Sequence, residues 1–177
     1  MLENLFPWKE EVDVVEDWDD FKARFMRAVM QLTDRSYLVL VNPETGQFTV
    51  QMTADEDILY IHCSIQRLNL DDPAVTSRLY ELGWDDKHRY SEPDYFWGRS
   101  LDLPAMSTAY QRLADDCVAT MREVQGIASP AQLRYKAWRE PERIPDGQLY
   151  YEEDLEALDP GEKPMLLDLG IQAEPLS

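Results

Sequence analysis

The order of elements in the first 138 residues constrains the fold of this chain most. One amphipathic helical pattern is followed by three strand patterns, then by a helix, an aromatic strand and a third helix. Short turns join the three strands, which therefore pair as an antiparallel meander. Three helices cover one face of such a sheet, yet the first and third strands are apolar on both faces. A second covering layer is expected from the tail, from another copy of the chain or from a client polypeptide.

Capping residues place the ends of the helices. Asp17 suits the N-cap of the first helix, and Asp72-Pro73 suits the start of the second. Gly83 and Gly126 are placed to stop the second and third helices in the left-handed conformation. The apolar positions of the first helix recur at spacings of three and four: Trp18, Phe21, Phe25, Val29 and Leu32.

Large apolar side chains on the second and fourth strands are the candidate protein-binding residues. These are Phe48, Val50, Phe96 and Trp97. Strand alternation predicts that Phe48, Val50 and Met52 share one face, and that Phe96 lies opposite Tyr95 and Trp97. Core packing accounts for Trp97, so Phe96 is the better candidate for a contact surface. Phe48 and Val50 fit equally well against the helices.

Charge is concentrated at the two ends of the chain. The formal net charge is −18, from 35 acidic and 17 basic residues. Residues 1–20 hold eight acids and one lysine, and residues 139–177 hold eleven acids and three bases. This balance excludes nucleic acid and anionic membrane surfaces as expected partners, since both attract clustered lysine and arginine. Charged ends of this kind usually lie in solvent, and some bind basic proteins.

The sequence has no recognisable pattern of catalytic, cofactor-binding or metal-ligating residues, so we predict a non-enzymatic protein without a cofactor. His62 and Cys63 are neighbours in a strand and point to opposite faces, so they cannot share a metal ion. His88 lies in a charged loop without further zinc ligands. Cys63 and Cys117 are expected to be buried, reduced thiols. No secretion signal is visible, and a cytoplasmic location is the default expectation.

From Arg139 onward the regular periods are lost, although apolar clusters persist in the acidic tail. Ser129-Pro130 opens a short capped segment that runs to Trp138, and five of the eleven prolines follow. Disordered segments rarely carry such clusters, so the tail is expected to dock. The candidate docking residues are Tyr150, Tyr151, Leu155, Leu166 and Leu167. The sequence leaves open whether they dock on their own domain or on a partner.

Several stretches resemble the domain shared by type III secretion chaperones and YbjN-like proteins, in particular the actinobacterial peptide-binding-chaperone-like group TY-Chap. The stretches are Leu79-Tyr80-Glu81-Leu82-Gly83-Trp84, Tyr95-Phe96-Trp97, Met121 to Ile127 and Ser129 to Leu133. The similarity covers residues 15–138. The resemblance implies helices packed on a strongly twisted antiparallel sheet, dimerisation, and binding of an extended client across an apolar surface. It implies no catalytic residues.

These observations predict an α+β fold with the helices on one face of a twisted antiparallel sheet. We divide the chain into an acidic arm (1–16), a secretion-chaperone-like domain (17–138) and an acidic tail (139–177), docked or flexible. The predicted function is burial of a protein or peptide client, or of a second subunit in a homodimer, against an apolar sheet face. The alternative is an acidic mimic or inhibitor that binds a basic protein through Glu152, Glu153, Asp154 and Glu156.

Overall fold

A six-stranded sheet organises the computed structural model, which describes residues 13–86 and 95–176. The strands are β1 (Ser36–Asn42), β2 (Gln47–Ala54), β3 (Ile58–Ile65), β4 (Tyr95–Asp102), β5 (Arg134–Arg139) and β6 (Gln172–Ala173). Their order across the sheet is β4-β3-β2-β1-β5-β6, and every pair is antiparallel except β5 with β6. The predicted α+β class and the β1–β3 meander are confirmed. Most of the predicted acidic arm, and His88, lie outside the described residues.

The three predicted helices end near the residues proposed to cap them, whereas α2 and α5 were not predicted. They are α1 (Trp18–Met30), α2 (Arg67–Leu70), α3 (Pro73–Glu81), α4 (Ser107–Ala119) and α5 (Glu152–Glu156), and a π-helical turn, Thr120–Val124, continues α4. The Asp17 carboxylate accepts a hydrogen bond from the Asp20 N–H at 3.2 Å, and Asp72 caps α3 in the same way. Gly83 and Gly126 adopt φ of +83° and +69°, which glycine tolerates better than residues with a Cβ.

The segment 129–138, predicted as one capped element, consists of two elements. Pro130–Gln132 forms a single 3₁₀ turn, and β5 follows it. β5 pairs antiparallel with β1, so that Leu38 lies opposite Ala137. Tyr135 and Ala137 are buried while their neighbours in β5 are more exposed, a period of two that favours a strand.

One face of the sheet, here called the helix-covered face, forms the core with α1, α3 and α4. Its most buried strand residues are at most 3% exposed: Leu38, Leu40, Val50, Met52, Ala54, Leu59, Ile61, Cys63, Trp97, Tyr135 and Ala137. α1 lies beside α4, where the Lys22 amine is 2.9 Å from Asp115. The Trp84 indole, just after α3, donates to the Thr120 hydroxyl at 2.8 Å. Burying each large apolar side chain contributes about 1.5–3 kcal/mol, so this layer dominates stability.

The tail docks on its own domain along the outer edge of β5. The Ala137 carbonyl accepts a hydrogen bond from the Met165 N–H, and the Tyr135 carbonyl accepts one from the Glu174 N–H, both at 2.8 Å. Three tail side chains belong to the core, namely Met165, Leu169 and Ile171, which are 7%, 0% and 2% exposed. These contacts place this part of the tail on its own domain, whereas the sequence left open whether it docks there or on a partner.

Candidate functional site

The sheet face opposite the helices, here called the open face, carries aromatic side chains at its corners. The strand register orders its residues in three rows: Trp138, Tyr37, Thr53, Tyr60 and Ser100; Lys136, Val39, Gln51, His62 and Gly98; Arg134, Val41, Phe48, Ser64 and Phe96. Apart from Val41, the side chains are half-buried or exposed. A solvated face of an antiparallel sheet is usually polar, so five aromatic residues here suggest a contact surface.

The first aromatic pair is Tyr37 with Trp138. The two residues face each other across β1 and β5, and their rings stack with centroids 4.9 Å apart and planes 7° apart. The Trp138 indole N–H donates to the Glu140 carboxylate at 3.0 Å, which fixes the ring orientation. Sequence reasoning missed this pair because it exists only through the pairing of β1 with β5.

The second aromatic pair is Phe48 with Phe96. Their strands, β2 and β4, are separated by β3, so the backbones lie about 10 Å apart. The ring centroids are nevertheless only 5.2 Å apart. Ser64 of β3 lies between them, and its hydroxyl donates to the Phe48 carbonyl. The small serine side chain leaves room for the two rings to meet above β3.

Phe48 lies on the opposite face from Val50, so the predicted alternation of β2 is wrong at this point. Leu40 pairs with Val50, but Val41 pairs with Phe48, so Thr49 is an extra residue in β2. Such a β-bulge turns the following side chains to the other face of the sheet. The bulge thereby places one aromatic ring on the open face.

Contacts from the helix layer hold the bulge. The Thr49 hydroxyl lies 3.7 Å from the Met121 sulfur and donates to the Leu40 carbonyl at 3.3 Å. The Gln125 amide donates to the carbonyls of Thr49 and Ser64, each at 2.8 Å. A buried carbonyl without a partner costs free energy, so these bonds stabilise the irregular ladder. Gln125 is a positioning residue that no sequence pattern indicates.

The structure separates the four candidate protein-binding residues into two pairs. Phe48 and Phe96 meet on the open face. Val50 and Trp97 are 1% and 0% exposed on the helix-covered face, where the Trp97 ring contacts Tyr80 at 5.0 Å. Only the first pair therefore has surface available to a partner.

The candidate tail-docking residues lie mostly at the surface. Tyr150, Tyr151, Leu155 and Leu166 are 55%, 81%, 46% and 53% exposed, and Leu167 is half-buried. The Leu167 N–H donates to the Tyr135 hydroxyl at 2.9 Å, and its carbonyl accepts from that hydroxyl at 3.1 Å. Leu167 thus joins the tail to β5, while the other four side chains face solvent.

A closed loop, residues 143–158, displays the exposed aromatic and acidic residues. At its base the Glu142 N–H donates to the Asp159 carbonyl at 2.8 Å. The Asp159 carboxylate accepts from Arg139 at 2.7 Å and from Arg35 at 3.0 Å. Arg139, with help from the Gly161 N–H and Arg35, lowers the pKa of Asp159 to about 2. This clamp fixes the two ends of the loop on the domain.

Part of the backbone along the described edges of the sheet already has partners. On β4, Gly98 and Asp85 exchange two backbone hydrogen bonds at 2.9 Å. On the other side the tail pairs with β5, so a client strand has little free backbone there. These contacts reduce the edge available to an extended segment, whereas the open face presents side chains over five strands.

Neither of the two cysteine thiols, both of which lie in the described residues, is activated for chemistry. Burial raises the pKa of the Cys63 thiol well above its ordinary value and that of Cys117 to about 12, so neither is a ready nucleophile. Within the described ranges, no cluster of three histidine, cysteine or acidic residues could hold a metal ion. None of the helices in these ranges is long and apolar enough to cross a membrane.

Comparison with known families gives a match over most of the chain. The TY-Chap3 family model, described as T3SS (YopN, CesT) and YbjN peptide-binding chaperone 3, matches residues 11–139. This confirms the resemblance seen in the sequence, and the match ends at the last residue of β5. No curated protein and no solved structure matches the chain.

Proposed function

Because the chain belongs to the T3SS and YbjN peptide-binding chaperone family, we propose that it binds an extended segment of a client polypeptide on the open face. The carrying observation is the presence of two stacked aromatic pairs, Tyr37–Trp138 and Phe48–Phe96, on the face that α1, α3 and α4 leave uncovered. Client side chains that pack on these rings remove apolar surface from water on both partners. The function is binding, without a catalysed reaction.

Two of the four candidate residues act as contacts in this proposal. Phe48 and Phe96 offer ring surface to the client, whereas Val50 and Trp97 support the sheet from the core side. Truncating an aromatic contact at the centre of an interface typically costs 1 kcal/mol or more, and about 2 kcal/mol at a hot spot. Phe96→Ala is therefore expected to weaken client binding about 5- to 30-fold.

The test selects binders from a random 12-residue peptide library and measures their dissociation constants by fluorescence anisotropy. Phe96→Ala and Trp138→Ala are compared with Met106→Ala, which removes a 77% exposed side chain at the start of α4. The first two variants should weaken binding, and the third should not. Urea unfolding of each variant checks that the fold is intact. Selected peptides that bind Phe96→Ala and Trp138→Ala as tightly as the parent would refute the proposal.

The acidic loop supports a second candidate function, binding of a basic protein. Glu152, Glu153, Asp154 and Glu156 lie on α5, which has no buried residues. Tyr150, Tyr151, Leu155 and Leu166 add exposed apolar area, and we keep them as proposed docking residues for a partner. Salt distinguishes the two functions, since the Debye length falls from about 10 Å at 0.1 M to about 3 Å at 1 M. A complex that survives high salt favours the open face.

Dimerisation and a cytoplasmic location complete the proposal. A second copy would cover the same open face that we assign to the client, so the two occupants would compete. Light scattering over a dilution series measures the dimer, and added client peptide should shift it toward monomer. A dimer that persists with saturating peptide would place the subunit interface elsewhere.

A further inference from the structure

This inference rests on the proposed function and concerns the spacing of anchors in the client. The two ring pairs lie at diagonal corners of the open face. Tyr60 and Ser64 of β3 mark the two rows, four residues apart, or about 13 Å along the strand. Across the strands, the middle of the first pair lies between β5 and β1 and that of the second lies over β3, about 12 Å away. The diagonal is therefore about 18 Å.

An extended client has to place two side chains on the same side of its backbone at this separation. In a β-strand, side chains return to one side every two residues, and six residues span about 20 Å. In a polyproline II segment, they return every three residues, and six residues span about 19 Å. Six is the smallest spacing that satisfies both periods, and it matches the 18 Å diagonal. A spacing of five covers nearly the same distance but turns the second side chain away.

The residues between the two ring pairs, and the charged residues of β5 beside them, further restrict the sequence of the client. The path between the ring pairs crosses Val39 and Gln51, which are half-buried, so a client meets one small apolar and one polar side chain there. Lys136 and Arg134 lie 3.8 and 3.9 Å from the single Glu174 carboxylate. Among the described residues, two cations thus share one anion along β5, and Lys136, the one nearer to Trp138, can accept one more carboxylate.

We propose that the client segment carries two large apolar side chains at positions i and i+6, with an acidic residue two positions from the anchor that packs on Tyr37 and Trp138. The second anchor packs on Phe48 and Phe96. The residues between the anchors are small or polar, since they cross Val39 and Gln51. The occupant is thus an extended, mildly acidic segment with two separated anchors.

Designed peptides test this spacing. Fluorescein-labelled 14-residue peptides of glycine, serine and glutamine carry one tryptophan at position i and a second at i+4, i+5, i+6 or i+8, with one glutamate two positions from the first. The i+6 peptide should bind at least about tenfold tighter than the i+5 peptide, since only one anchor is seated in the latter. Trp138→Ala should abolish the preference for the i+6 peptide over the i+5 peptide. Lys136→Gln should abolish the preference for glutamate over glutamine at the acidic position of the peptide.

Each outcome has a separate meaning. The anchor rule is the proposed i, i+6 spacing of the two apolar side chains. If peptides of all four spacings bind equally and Phe96→Ala still weakens each of them, this rule is wrong and the proposed function still holds. If no designed peptide binds but library-selected peptides bind through Phe96, the anchor rule again fails by itself. If the binding of neither the designed nor the selected peptides depends on Phe96 and Trp138, both the anchor spacing and the proposed function are wrong. Peptides with alanines in place of tryptophan are the baseline for non-specific attachment.

Discussion

Replacing Leu169 by alanine should destabilise the whole domain, because this tail residue is part of the core. Its side chain is fully buried among the core residues that α1 and the sheet contribute. The neighbouring backbone is also fixed, since Leu167 bonds to the Tyr135 hydroxyl and Gly170 accepts a hydrogen bond from the Val15 N–H at 2.7 Å. A small movement of the tail therefore cannot fill the space that the leucine side chain would leave.

The expected size of the effect follows from burial. Leucine-to-alanine changes at fully buried sites cost about 2–5 kcal/mol, through lost burial and the cavity that remains. A domain of this size has a total stability of about 5–15 kcal/mol. With a urea dependence of about 2–3 kcal/mol per molar, the unfolding midpoint should fall by about 1–2 M. Leu166→Ala is the matched control, since that leucine is 53% exposed and its loss should cost under about 0.5 kcal/mol.

The assay is urea unfolding of both variants, followed by tryptophan fluorescence and by far-ultraviolet circular dichroism. The two signals should give one midpoint if the tail and the sheet unfold together. Equal midpoints for Leu169→Ala and Leu166→Ala would refute the reasoning. An early unfolding transition that only one of the two signals detects would also refute the reasoning. It would mean that the tail unfolds as a separate unit while the sheet stays folded.

Two further predictions concern pH and thiol reactivity. Arg139 holds the pKa of Asp159 at about 2, below its ordinary value of 3.8, so the pair stabilises the fold above about pH 4 and loses this effect as the pH falls toward 2. Melting curves should show that Asp159→Asn loses less stability than the parent between pH 4 and 2, and equal losses would contradict the assignment. Burial and the raised pKa values of Cys63 and Cys117 should prevent reaction with Ellman's reagent at pH 8 until denaturant is added. Rapid labelling of the native protein would contradict the buried placement.

The elements that local chemistry specifies could be predicted from the sequence. α1, α3 and α4 follow from apolar periodicity and from capping by Asp17 and Asp72. The meander follows from short polar turns. β5 and the place where the tail docks could not be predicted in this way, because their partners are distant in sequence. β5 is 6 residues long and pairs with β1, near the other end of the domain. A short strand has too few residues to show its period clearly.

The candidate site was predictable only in part, for the same physical reason. Alternation in β4 indicates that Phe96 faces away from the core, and the structure agrees. It also groups Phe48 with Val50, which is wrong because the Thr49 bulge changes the register. Bulges depend on what the extra residue meets in three dimensions, here the Met121 sulfur and the Gln125 amide. No local pattern carries that information.

The division of the sheet into two faces explains how one short domain combines stability with an exposed apolar surface. The helix-covered face supplies burial that does not depend on a partner, so the open face can keep partly exposed aromatic side chains. Gln125 connects the two faces, because its amide donates to the Thr49 and Ser64 carbonyls from the core side while the Phe48 and Phe96 rings meet above Ser64. Two hydrogen bonds from the helix layer thus help to position a proposed contact ring on the open face. Substitutions elsewhere in the core lower the fraction of folded protein, whereas we expect a change at Gln125 to lower stability and also to move the Phe48 ring on the open face.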